Sequence, residues 1–207
     1  YRRQRQMCIR DRHSIGTSSR FEECDILAID LSLRSLAYAK RKTEELNITN
    51  IEYIQADILD LKTLNRKFDI IESGGVLHHM DDPITGWKVL TDCLNPGGLM
   101  RIGLYSELAR RDIVQIRNEI GQSKFDLSDD AMRSLRSHIV ISEEEHHNLI
   151  TSSVDFYSLS TLRDLLFHVQ EHRFTLPRIK DCLDQLGLIF CGFEDTKICL
   201  LYTSPSP

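Results

Sequence analysis

The stretch Phe68-Asp-Ile-Ile-Glu-Ser-Gly-Gly-Val-Leu-His-His-Met80 decides how this chain is read. Its apolar run ends in Glu72-Ser73-Gly74-Gly75, the pattern of a buried strand that stops at a crossover of small residues. Fifteen residues past Met80 comes Asn95-Pro96-Gly97-Gly98, a tight turn leading into a second apolar strand, Leu99–Leu104. A helix over about residues 84–94 fills the interval.

Working outward, Cys24-Asp25-Ile26-Leu27-Ala28-Ile29-Asp30 is another short apolar run closed by an acid, suited to a buried parallel strand. Ser32 can cap a helix over 33–46, with Leu33, Leu36 and Ala37 as its apolar stripe and Lys40 marking the solvated side. Ile51–Ala56 is the next strand and ends at Asp57, while Ser14–Arg20 reads as the tail of an earlier helix. Strand and helix alternating at this rhythm give an α/β fold, a parallel sheet with helices on both faces. Ligands of such sheets lie at the carboxyl ends of the strands, where strand order reverses. Residues 106–176 break the rhythm. They are polar, with Ser128-Asp-Asp130 and Ser142-Glu-Glu-Glu145 as helix starts, and form a helical cap. Thr175-Leu-Pro177 opens a further helix striped by Ile179, Leu183 and Leu186 and ended by Gly187. Leu188–Phe193 reads as a strand, and a last strand would begin near Lys197.

The 207 residues, 41% hydrophobic and 28% charged, suit one soluble globular domain. Net charge is −5, with residues 1–12 contributing +4, so the body is acidic and a nucleic-acid partner is not expected. Six cysteines, with no CxxC pair, read as reduced thiols. No apolar run reaches the ~20 residues of a membrane span, and no signal peptide is visible. A cytoplasmic location without membrane partners is expected. The two ends look foreign. Residues 1–12 and the Pro/Ser tail 198–207 resemble translated sequencing adapter, which leaves 13–197 as the domain.

The paired strands at 68–74 and 99–104, with the acids at Asp30 and Asp57, resemble the class I S-adenosylmethionine-dependent methyltransferases, in particular bacterial ones found beside tetratricopeptide repeats. The resemblance covers about residues 14–105 and 175–194. It implies a Rossmann-like, mostly parallel sheet, with the first and last strands missing or incomplete and a helical insertion after the fifth strand. It implies S-adenosylmethionine as cofactor and methyl transfer to an O, N or C nucleophile of a small molecule or a protein. Asp30, followed by Leu31, corresponds to the acid that accepts from both ribose hydroxyls, since a carboxylate offers two acceptor oxygens to a vicinal diol. Asp57 and Ile58 correspond to the adenine contacts, Ser73 and Gly74 close the pocket, and Val76 and Leu77 pack nearby. The catalytic residues are not named by the pattern. His78, His79, Tyr105 and Tyr157 are the substrate-side candidates, and a base is needed only if the acceptor must lose a proton. Absence of an Asn/Asp-Pro-Pro-Tyr string weakens amide or adenine-amine methylation.

The family's glycine-rich loop after the first strand is not found; His13-Ser-Ile-Gly-Thr17 starts too late to supply it. The chain is therefore expected to be an inactive fragment. A non-catalytic adenosine-ligand-binding or protein-interaction module is one alternative, and a nicotinamide-dependent oxidoreductase is another. His168-Val-Gln-Glu-His172 matches H-x-x-E-H as a string, the basis of a zinc-hydrolase reading through His168, Glu171 and His172 on a helix striped by Leu162, Leu165, Leu166 and Val169. His146-His147, after three glutamates, reads as an exposed helix. No metal site is expected.

Overall fold

The computed structural model describes residues 4–9, 11–20, 23–121, 126–168 and 170–194. Five strands, β1 (Gln4–Ile9), β2 (Cys24–Asp30), β3 (Ile51–Gln55), β4 (Phe68–Gly74) and β5 (Leu94–Gly103), form one sheet in the order β3-β2-β1-β4-β5. Every neighbouring pair is parallel. The chain steps outward from β1 to β3 and then returns to β4, so strand order reverses beside β1. Crossovers run through α1 (Asp11–Arg20), α2 (Leu33–Glu45) and α3 (Pro83–Asp92). β2 reads as one unbroken apolar run because Ile26, Leu27, Ala28 and Ile29 are all at most 2% exposed. Phe68 and Ile71 of β4 join this core, as do Trp87 and Leu90 of α3.

The expectation of a missing first strand is corrected. Gln4–Ile9 takes that position, pairing Gln4 with Cys24 on one side and Gln6 with Ile70 on the other. Without a strand in this slot, the inner edges of β2 and β4 would bury unpaired N–H and C=O groups. Backbone pairing alone satisfies that demand and asks for no apolar signature.

Three local expectations also shift. The α2 stripe is Leu36, Ala39 and Thr43, while Leu33 is 64% exposed and Ala37 is exposed, so the buried face lies one position round from the expected one. Ser32 does cap the helix, its Oγ accepting from the Ser35 N–H at 3.2 Å. Asn95–Gly98 is not a turn ahead of a strand but a bulge inside β5. Leu94 pairs with Phe68 and Leu99 with Ile70, so four residues loop out opposite Asp69. Asn95 Nδ2 donates to Asp69 Oδ1 at 2.8 Å across the bulge, and a Cβ on Gly98 would stand 2.9 Å from the carbonyl oxygens of Asn95 and Asp69.

After β5 and the short β6 (Tyr105–Ser106), the expected cap is present as α4 (Arg111–Gly121), α5 (Asp129–Ile141), α6 (Glu145–Thr151) and α7 (Leu159–Phe167). It has its own core of Ile116, Met132, Ile139, Ile150, Phe156, Leu162, Leu165 and Leu166. Strand β7 (Arg173–Phe174) returns to pair with β6. The helix expected through His168–His172 stops at Phe167. Arg117 reaches in from α4, Nε donating to the Leu166 carbonyl at 3.0 Å and Nη2 to the His168 carbonyl at 3.3 Å. Those carbonyls are satisfied without further helical turns.

Among the described residues, 175–194 belong to a separate compact unit. Its helix α8 (Leu176–Leu186) has the expected cap, Thr175 Oγ1 accepting from the Arg178 N–H at 3.3 Å, and ends at left-handed Gly187. The strand expected over Leu188–Phe193 is not formed, and Ile189 is 88% exposed. The expected start of a last strand near Lys197 lies outside the described residues, as does the tail 198–207. Among the described residues no helix is long and apolar enough to cross a membrane. Cys24, Cys93 and Cys182 are buried free thiols and Cys191 is an exposed one.

Candidate functional site

A pocket of about 140 Å³ opens at the carboxyl ends of β2 and β3, beside the reversal in strand order. Ile29, Asp30 and Leu31 line it from β2, Ala56, Asp57 and Ile58 from β3, and Val76 and Met80 from the segment after β4. Parallel strands end here with their side chains released from the sheet, so apolar walls and two acids converge without a dedicated loop. Asp30 Oδ1 accepts from the Ser32 N–H at 2.7 Å, and Asp57 Oδ1 accepts from the Leu59 N–H at 2.8 Å. Each carboxylate is thus oriented by its own turn through one oxygen, and the second oxygen accepts no hydrogen bond among the described residues. Gln55 Nε2 donates to the Leu31 carbonyl at 2.9 Å and ties the two strand ends together.

The expected pocket residues divide. Asp30, Leu31, Asp57, Ile58 and Val76 line the cleft. Leu77 is fully buried instead, and Ser73 is at 0% exposure within β4, its Oγ without a partner among the described residues, while its backbone registers with Ile9 and Ile102. Gly74 is close to no atom that a Cβ would meet, so the strand end is open there. Ile29, Ala56 and Met80 were not anticipated from sequence; the first two could have been found by taking the residue on the strand side of each acid.

Three of the four substrate-side candidates come together. His78 stacks on Tyr105 with ring centres 3.7 Å apart, and His79 meets His78 edge-on at 4.2 Å. Burial, followed by the neighbouring charge of His79, drives the His78 pKa down to about 4, against the pull of the Gly103 carbonyl and Glu171. His78 is 1% exposed, and among the described residues neither ring nitrogen has a partner at good hydrogen-bond geometry, the Gly103 carbonyl acting only as a nearby acceptor. A neutral, enclosed imidazole of this kind positions its neighbours more readily than it accepts a substrate proton. His79 Nδ1 lies 3.1 Å from the Gln170 carbonyl, and its ring stacks on His168 at 3.8 Å. Its pKa is also lowered, by burial first. Tyr157 does not join this group. It is 64% exposed, its hydroxyl donating to the Thr151 carbonyl at 3.0 Å.

Behind the histidines lies an ion triad that sequence reasoning missed. Glu171 is gripped by Arg110 through two hydrogen bonds, one of them Nε to Oε1 at 3.2 Å, and by Arg117 Nη1 at 3.1 Å. The Glu171 side chain is only 3% exposed. Burial pushes its carboxyl up, but the Arg110 hydrogen bond and the charges of Arg110, Arg117 and Arg173 outweigh this and hold it below the usual range. The Arg110 guanidinium also lies 4.0 Å over the Tyr105 ring. The seven-residue spacing of Arg110 and Arg117, two helical turns, was the available signal.

These contacts overturn the zinc-hydrolase geometry. His168 and His172 share no helix, the His172 N–H donates to the His78 carbonyl at 2.7 Å, and Glu171 is committed to two guanidiniums. The expectation for His146 and His147 is corrected as well. They are 7% and 5% exposed, and both bond Glu119 of α4.

Residues 12–98 match the family model described as a methyltransferase domain. An uncharacterized protein of a Synechococcus strain is 29% identical over 181 residues, covering 83% of this chain and 43% of that protein. The demethylmenaquinone methyltransferase of Staphylococcus carnosus is 29% identical over 75 residues, 36% of this chain and 30% of the relative. The chain therefore spans less than half the length of these relatives. PKMT2 from Rickettsia typhi shares the fold at a TM-score of 0.72 and 19% identity, over 96% of this chain and 43% of that one, and its complex with AdoHcy gives 0.71.

Proposed function

We propose that the methyltransferase domain on residues 12–98 has S-adenosylmethionine as its cofactor, held by its adenosine half in the Asp30–Asp57 pocket, and serves methyl transfer to an O, N or C nucleophile of a small molecule or a protein. The observation that carries this reading is the pair of strand-end carboxylates on one apolar cleft, each fixed through one oxygen and leaving the other for a ligand. The cofactor's contribution, when bound, is an electrophilic methyl on a sulfonium. What the chain contributes is alignment. Asp30 accepts from the ribose hydroxyls, Asp57 takes the adenine amine, and Ile58, Val76 and Met80 exclude water from the ring.

The other half of the cofactor has a weaker grip. Strand β1 ends at Ile9 and α1 begins at Asp11, so no glycine-rich turn separates them, and the first 20 residues contain one glycine, Gly16. Backbone amides that could cradle a carboxylate at a helix start are not provided by such a loop. This favours a chain of low catalytic competence, and with it a second reading as an adenosine-ligand-binding module without turnover. Equilibrium dialysis with radiolabelled S-adenosylmethionine tests the site. A charge-assisted hydrogen bond is worth about 1.5–3 kcal/mol, so Asp30→Ala is expected to weaken binding at least tenfold. Retention of wild-type affinity in that variant would refute the placement.

A further inference from the structure

We propose that the helical cap carries a divalent transition-metal site built from Glu119, His146 and His147. Consecutive residues on a helix point about 100° apart. The two rings here nevertheless converge on one carboxylate, with His146 Nε2 2.7 Å from Glu119 Oε1 and His147 Nε2 3.0 Å from Oε2. Ring centres are 4.3 Å apart, and a ligand atom from each of the three residues lies within 4.8 Å of the others. Among the described residues this is the one group of three that gathers so closely.

The second observation is what holds the far nitrogens. His147 Nδ1 lies 2.8 Å from Ser142 Oγ, and His146 Nδ1 lies 3.2 Å from the amide nitrogen Nε2 of Gln115. Metal-ligating histidines use their outer nitrogen in this way, because a hydrogen bond there fixes the tautomer and frees the Nε2 lone pair. The Ser142 hydroxyl can accept an Nδ1–H directly. The Gln115 amide does so through its oxygen after a half-turn of the group. Both imidazoles are buried, whereas the Glu119 side chain is 43% exposed, so an ion has an entry path from the solvent side of the carboxylate.

Ligands at about 2.0–2.1 Å in a tetrahedral shell stand about 3.3 Å apart. Since the three ligand atoms already lie within 4.8 Å of one another, forming that shell asks the groups to draw together by at most about 1.5 Å. Two imidazoles and one carboxylate select Zn²⁺, Co²⁺ or Ni²⁺ over Mg²⁺ or Ca²⁺, which prefer all-oxygen shells. Three protein ligands leave a fourth position for water. The ion would bolt α4 to α6, joining two cap helices now linked there by the shared carboxylate.

The test is titration of the chelator-stripped full chain with Co²⁺, followed by visible absorption, and with Zn²⁺, followed by calorimetry. One equivalent is expected, with Co²⁺ giving the visible ligand-field absorption of a four-coordinate site. His147→Gln and Glu119→Gln are each expected to weaken binding at least about tenfold, the cost of even an outer-shell change. Glu119 is partly exposed, so Glu119→Gln keeps the test decisive if the buried His147→Gln fails to fold. Absence of a stoichiometric site, or affinity unchanged by Glu119→Gln, would overturn the proposal. The latter result would place the ion on other ligands, such as Cys191 or His168.

Discussion

Acidification should expose the cost of keeping His78 neutral. Burial, and then the charge of His79, lowers its pKa from 6.5 to about 4 in the folded chain. Below pH 6.5 the unfolded chain takes up a proton that the folded chain refuses until about pH 4. Stability therefore rises with pH across that window, is complete above it, and is lost progressively as pH falls through it. The full shift is worth about 3 kcal/mol, of which about 2 kcal/mol is lost between pH 7 and 4.5. His78→Phe keeps an aromatic ring against Tyr105 and removes the titration. Urea unfolding followed by circular dichroism at pH 7 and 4.5, on both proteins, isolates the contribution. His79 is shifted in the same direction and remains in both, while Glu171, held below the usual carboxylate range, gives up its stability only at lower pH. The variant should lose about 2 kcal/mol less than the wild type over this interval. Equal losses would refute the reasoning.

Glu171→Gln leaves Arg110 and Arg117 facing a neutral amide in a buried site, and breaking such a set costs about 3–5 kcal/mol. An unchanged denaturation midpoint would contradict the triad's role. Gly98→Ala forces a methyl to 2.9 Å from two backbone carbonyl oxygens, neither of which can rotate away. A loss of about 1–3 kcal/mol is expected, the usual cost of overpacking, measured as a fall in thermal midpoint. A wild-type midpoint would mean that the β5 bulge is not as tight as described.

Much of the sheet could be read from sequence because parallel strands covered on both faces appear as apolar runs closed by an acid, as Ile26–Ile29 followed by Asp30 does. The same feature located Asp30, which closes the run Ile26–Ile29, whereas Asp57 was found as the acid that ends the mixed strand Ile51–Gln55. Gln4–Ile9 was not legible. Its place in the sheet is defined by the open edges of its neighbours, and its own sequence carries no apolar run. The end of α7 was hidden for a related reason. No Gly or Pro marks it, and the carbonyls of Leu166 and His168 are satisfied by Arg117, which lies 49 and 51 positions away. Three glutamates ahead of His146 suggested a solvated face, yet the two histidines turn inward onto Glu119, which is distant in sequence.

The most direct measurement compares S-adenosylhomocysteine with 5′-methylthioadenosine, which lacks the amino-acid end, by calorimetric titration of the same chain. On the proposed reading the Asp30–Asp57 pocket would grip adenosine, while among the described residues no glycine-rich turn between β1 and α1 holds the remainder. The two ligands should bind within a few-fold of each other, and Asp30→Ala should weaken both at least about tenfold. No binding of either ligand to the folded chain would contradict the adenosine half-site, and so would affinities unmoved by Asp30→Ala.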